Sequence, residues 1–273
     1  MREVVLIRFQ LVILLQIALS VACLAQSNVQ EREGEKEEGR FLLDLAYSDT
    51  ESIEGVTDIF DIGLTWLVRP DLRVGADTTF VDFTPDTSSN QVSSDQQSTK
   101  GLGDSTFFIQ YDWQERLTAS PWIPDNVGTS LAVLVPTGDA KKSLGGDTWA
   151  ASVAVSWPLV IKGGWLLNPA VNYNFTFNEG PLADHISVAE VGLGIVKLFP
   201  SKLWIGYTPS YWYDLDLKTW NFDSHFTIGK MFSNGMGIGL DYGQLARHYK
   251  PRARDDNSLL FNFYFQFGHQ NRN

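Results

Sequence analysis

The chain has 273 residues, and its 21 Lys and Arg against 32 Asp and Glu give a formal charge of -11, so it offers nucleic acid no basic surface. A hydrophobic content of 44% with 13% aromatics excludes a disordered polymer, and the lack of any internal apolar run near the roughly 18 residues of a spanning helix excludes a helical membrane bundle. The single cysteine, Cys23, lies too early to serve a mature chain, which removes disulfide scaffolds, cysteine-ligated zinc and thiol nucleophiles.

At the N-terminus, Arg2 and Arg8 precede an apolar run from Leu11 to Val21, broken by Gln16 and Ser20, and small residues follow at Cys23 and Ala25. This is the layout of a bacterial secretory signal, residues 1–25, cleaved after Ala25 and too short to span a bilayer. Cys23 also suggests a lipoprotein signal, but the third residue before it is Ser20 rather than a large aliphatic, so simple cleavage is expected. Residues 26–39 carry the run Glu31-Arg32-Glu33-Gly34-Glu35-Lys36-Glu37-Glu38 with no apolar period and are expected to form a disordered acidic periplasmic leader.

From Phe41 onward apolar residues recur at every second position, the period of a strand. Phe41, Leu43, Leu45 and Tyr47 alternate with Leu42, Asp44, Ala46 and Ser48, and Phe60, Ile62, Leu64 and Trp66 alternate with Asp61, Gly63, Thr65 and Leu67. In the last copy Phe261, Phe263, Phe265 and Phe267 interleave with Asn262, Tyr264 and Gln266. The pattern predicts strands at 40–48, 58–68, 72–83, 104–113, 127–135, 148–157, 164–177, 188–198, 203–214, 220–231, 236–245 and 258–267. Most are near the length a tilted strand needs to cross a bilayer, longer than the soluble average of about five or six residues. Twelve strands leave about 21 residues per strand and connection, whereas eight would leave about 31.

The connections alternate in length. Short turns surround Pro70-Asp71, Pro200-Ser201 and Ser233-Asn234-Gly235, and longer polar loops fill the other end, the longest running from Thr84 to Leu102. Short periplasmic turns, long outer loops and an even strand count with both termini periplasmic are the layout of an outer-membrane barrel. Two connections depart from it: Gln114 to Asn126 is long for a turn, and Leu215-Asp216-Leu217 is short for a loop. Aromatics mark both ends, with Trp66, Trp113, Trp157, Trp165, Phe199, Phe232 and Phe267 at one and Tyr47, Phe80, Trp149, Phe177, Tyr213 and Trp220 at the other. A soluble all-β sandwich is the alternative, but it would carry large charged residues on its polar face, where this chain has Gly, Ser, Thr, Asn and Asp.

The short motifs are Gly101-Leu102-Gly103-Asp104, Pro136-Thr137-Gly138-Asp139 and Leu144-Gly145-Gly146-Asp147-Thr148. At these residues the chain resembles the bacterial outer-membrane β-barrel family named for the meta-pathway of phenol degradation, often labelled a transporter. The likeness covers roughly residues 40–267 in layout. It implies a signal-bearing barrel that passes small organic compounds, aromatic ones included, and it brings no catalytic residues.

Other motifs carry less. Gly192-Leu193-Gly194 and Gly235-Met236-Gly237-Ile238-Gly239 open no helix, so they are strand glycines rather than phosphate cradles. An outer-membrane phospholipase barrel would show His-x-Ser-Asn-Gly, but His185 is followed by Ile-Ser-Val and His225 by Phe-Thr-Ile, so an enzyme is not expected. No cofactor or metal motif is present.

The candidates for function are the inward charges: Asp44, Asp61, Asp77, Asp104, Asp112, Glu190, Asp223 and Asp241, opposed by Arg73 and His225. Carboxylate rings favour cations, and an acidic lumen argues against the acidic-sugar porins, which need basic tracks. The alternative is that these groups hydrogen-bond across a filled interior and hold the barrel in shape. After strand eleven, Arg247, His248, Lys250, Arg252 and Arg254 form a basic outer loop suited to lipopolysaccharide phosphates. The expectation is an all-β, twelve-stranded, up-and-down antiparallel barrel over residues 40–273 in a bacterial outer membrane. It would pass small neutral or cationic organic solutes by passive diffusion, the alternative being a structural or adhesive barrel with a filled lumen.

Overall fold

The computed structural model describes residues 40–52, 55–69, 71–85, 98–114, 126–142, 144–181, 185–232, 236–247 and 256–267. The expected signal and leader, residues 1–39, lie outside them, as do 115–125 and the basic loop residues His248, Lys250, Arg252 and Arg254. Arg247 is the last residue of the strand Met236–Arg247.

The described chain is almost entirely β. The strands are β1 (Arg40–Ser52), β2 (Gly55–Arg69), β3 (Leu72–Pro85), β4 (Thr99–Gln114), β5 (Asn126–Val135), β6 (Thr148–Ser156), β7 (Leu159–Ile161), β8 (Trp165–Glu179), β9 (Ser187–Leu198), β10 (Leu203–Asp214), β11 (Thr219–Met231), β12 (Met236–Arg247) and β13 (Asp256–Phe267). All long strands pair antiparallel with their sequence neighbours; β1 pairs with β13, and β6 pairs with β8, which closes the sheet. The result is an up-and-down barrel of twelve strands plus the three-residue β7, a spur paired with the start of β8.

Two details differ from the sequence reading. The short β7 was not predicted; three apolar residues give no period to detect, and its hairpin depends on Gly163 and Gly164 holding φ of 82° and 77°. β4 begins at Thr99 rather than at 104. Its first residues are hidden because Thr79 of β3 faces both Gly103 and Asp104, between the pairs Thr78–Ser105 and Phe80–Leu102. This β-bulge reverses the alternation, so Leu102 points outward while Asp104 keeps the inward parity of Thr106, Gln110 and Asp112. The connection at Leu215–Lys218 is a four-residue turn, as short as the sequence indicates.

Which face is apolar decides the solvent. Ile62, Leu64, Phe107, Leu131, Val153, Val191, Phe226, Ile238 and Phe263 are all exposed on the outside, with Phe107 at 54% and Val153 at 46%. Water would penalise so large and continuous an apolar belt; hydrocarbon does not. Trp66, Trp113, Trp165 and Phe232 are exposed at one rim, and Tyr47, Phe80, Trp149, Phe177 and Trp220 at the other, while Trp157, Phe199 and Tyr213 are half-buried. Lys197 Nζ lies 5.1 Å from the Trp165 ring centroid, and Lys230 Nζ lies 5.8 Å from that of Phe232, so each ammonium sits against a rim aromatic.

This arrangement sets an expectation for Ile62→Arg. In lipid vesicles, denaturant titration should show a loss of about 2–4 kcal/mol of folding stability, because a charge placed mid-belt must enter hydrocarbon. An unchanged midpoint would place Ile62 in water and restore the soluble sandwich.

Candidate pore and its inner wall

Because side chains alternate across each strand, the closed sheet sorts one residue in two into the interior. Asp44, Asp61, Arg73, Asp104, Asp112, Glu190, Asp223, His225 and Asp241 are buried on that inner face and Asp77 is half-buried there, so all ten lumen candidates share one wall.

Several are paired. Arg73 Nη2 is 3.2 Å from Asp112 Oδ2, and Gln110, opposite Arg73 in the β3–β4 register, donates Nε2–H to Asp112 Oδ1 at 3.1 Å. His225 stands between two carboxylates: Nδ1 is 2.7 Å from Asp241 Oδ1 and Nε2 is 3.2 Å from Asp223 Oδ2. Both ring nitrogens are therefore engaged by a carboxylate oxygen. On the facing strands Ser152 Oγ–H donates to Asn172 Oδ1 at 2.7 Å, and Asn172 Nδ2–H reaches Glu190 Oε2 at 3.5 Å. These bonds form two sets on the inner wall, one on β6, β8 and β9 and the other on β11 and β12, with β10 between them.

Asp104 has a different role. Its Oδ1 accepts the Gly138 N–H at 3.0 Å and its Oδ2 accepts the Gly146 N–H at 2.8 Å. Since Asp104 points inward, the β5–β6 connection is folded inside the barrel mouth, and Leu144, Gly145 and Gly146 are buried there. Thr137 Oγ1–H donates to the Gly103 carbonyl at 2.9 Å and Thr99 Oγ1–H to the Lys142 carbonyl at 2.8 Å. The glycines permit this approach: a Cβ on Gly145 would lie 2.3 Å from Asp104 Oδ1, and one on Gly101 would lie 2.7 Å from Leu144 Cδ1. The three motifs that carried the family resemblance thus meet at one place, as the clamp of an inward loop.

The sequence reading missed some inner-wall residues. Arg40 is buried at the start of β1, and Trp204 and Trp212 are buried on the inner face of β10. Trp204 lies over Gly229, where a Cβ would stand 2.3 Å from its Cζ2. The alternation Trp204, Gly206, Thr208, Ser210, Trp212 was the signal available for both tryptophans.

Hydrogen bonds to a charged acceptor contribute about 1.5–3 kcal/mol each, and Asp104 makes two of them to the loop backbone. Asp104→Ala should therefore free the loop, and trypsin should cut after Lys141 or Lys142 in folded protein where the parent resists. Equal resistance in both would mean that other contacts suffice to hold it.

No family model and no curated protein sequence matches the chain. Solved structures do resemble it. The COG4313 outer membrane channel from Pseudomonas putida F1 superposes with a TM-score of 0.63 at 10% identity, over 84% of this chain and 96% of that one. The NanC porin gives 0.53 at 11% identity over 82% and 98%. The KdgM porin in complex with disordered oligogalacturonate gives 0.51 at 8% over 82% and 99%. At such identities the likeness is one of architecture: the chain has the fold of outer-membrane β-barrels.

Proposed function

We propose that the chain is a passive channel of a bacterial outer membrane that admits small organic solutes, neutral or cationic, with both termini on the periplasmic side. The observation that carries this reading is the contrast between the two faces of one closed sheet: an apolar belt outside, and inside a wall on which carboxylates outnumber Arg40, Arg73 and His225 among the described residues. Such a wall attracts cations and repels anions. Resemblance to the phenol meta-pathway family supports aromatic compounds as members of the solute class. On this reading residues 1–25 direct export and are removed.

One observation favours a second reading, a structural barrel with a filled interior. Arg73, Asp112, Asp223, His225 and Asp241 are each less than a tenth exposed and bonded in two groups, Arg73 with Asp112 and His225 with Asp223 and Asp241, which is how a packed polar core also looks.

Purified protein in planar bilayers separates the two. A channel is expected to give discrete conductance steps with a reversal potential displaced toward the cation. Absence of steps together with absence of solute entry into liposomes would leave the filled barrel, and anion selectivity would overturn the acidic-lumen account.

A further inference from the structure

The inward carboxylates are not equivalent. Asp112 has Arg73, Asp223 and Asp241 share His225, and Asp104 holds the loop amides. Asp44 stands apart: it is 5% exposed, and neither of its carboxylate oxygens accepts a hydrogen bond. A carboxylate removed from water without a partner is costly, so it is a group that a cation would relieve.

The register surrounds Asp44 with more negative charge. Asp44 on β1 is opposite Gly63 on β2, and Gly63 is opposite Asp77 on β3, while Asp61 is the adjacent inward position on β2. Three carboxylates therefore border one residue that has no side chain. A Cβ on Gly63 would sit in ordinary van der Waals contact with the Cβ atoms of Asp44 at 3.6 Å and Asp77 at 3.8 Å, so the glycine leaves the space beside both side chains unfilled. Inner-wall Gly206 is different, since a Cβ there would stand 2.3 Å from Thr227 Oγ1.

The kind of cation follows from the spacing. Asp44 and Asp77 are two strands apart, about 10 Å between backbones. Among the described residues no group of three His, Cys, Asp or Glu side chains converges tightly enough for a metal ion. A primary ammonium group instead directs three N–H donors outward from one centre, one for each carboxylate. We propose that Asp44, Asp61 and Asp77, arranged around Gly63, form a subsite for the ammonium group of small organic amines, and that such amines are the preferred solutes. This rests on the channel reading and names its substrate class. Because Asp44 is 5% exposed, an ammonium group that reaches it is held away from bulk water, where its attraction to the carboxylates is least screened.

The test uses the full-length protein and n-butylammonium as the probe, with tetramethylammonium as a control of equal charge that lacks N–H donors. In planar bilayers n-butylammonium should reduce the potassium current in a saturable way, with tetramethylammonium at least about tenfold weaker. The double variant Asp44→Asn with Asp77→Asn should raise the half-blocking concentration by a similar factor. Gly63→Val, which keeps all three carboxylates and fills that space, should do the same. Isothermal titration of n-butylammonium into the protein in detergent micelles gives a readout that needs no conduction. Saturable binding there, lost in both variants, would sustain the subsite even if no current is ever seen and the channel reading falls. Equal potency of the two cations, absence of binding to the parent, or unchanged binding in both variants would each overturn it.

Discussion

In hydrocarbon a backbone N–H or C=O has no water to bond, so a strand can cross only if it has a partner on each side. Two pairings meet that demand here. β1 pairs with β13 from Phe41–Phe267 to Thr50–Ser258, joining the ends of the chain, and β6 pairs with β8 from Thr148–Glu179 to Ser156–Ala170, joining its halves across the β7 spur. Without either, two edges would open and the apolar belt would have nowhere to lie flat. Closure also fixes the meaning of parity, because once there is an inside, every odd or even position is committed to lipid or to lumen.

The interior then faces the opposite difficulty. Charged groups drawn from the sequence by alternation are crowded onto one inner wall, and most of those described above have a compensating partner. The protein uses three devices: an opposite charge at Arg73 and Asp112, a shared imidazole between Asp223 and Asp241, and backbone amides donated to Asp104 by a loop that turns back into the mouth. The last has a geometric consequence. One carboxylate fixes the position of a segment that would otherwise project outward, so the shape of the mouth depends on Asp104 as much as its charge does.

Much of this was legible from the residues alone. Phe261, Phe263, Phe265 and Phe267 can alternate with Asn262, Tyr264 and Gln266 only in a strand with two unlike faces, and long repeats of that pattern set strand number and direction. The inner placement of Asp44 or Asp223 followed from parity. What parity could not give was the path of residues 136–147, because a loop has no period and its course is decided by partners distant in the chain. Its traces were present as Gly101, Gly103, Gly138 and Gly145, whose small size matters only once Leu144 and Asp104 are seen beside them. The bulge opposite Thr79 likewise concealed the first residues of β4 by reversing their phase. Trp204 and Trp212 were left unassigned because aromatics in a barrel are sought at the lipid rims, whereas these two obey the alternation and turn inward.

The division of tryptophans between lipid and interior tests the central claim most directly. Single-tryptophan proteins that retain Trp113, Trp220 or Trp212 can be folded into bilayers of lipids brominated at different acyl depths, and their fluorescence compared. Trp113 and Trp220 are 40% and 56% exposed at opposite rims, and Trp212 is 6% exposed on the inner wall. Quenching of Trp113 and Trp220, strongest with bromines near the headgroups, together with no quenching of Trp212, is the expected result. Quenching of Trp212 as strong as that of Trp113, or of none of the three, would contradict a membrane barrel with this inside and this outside.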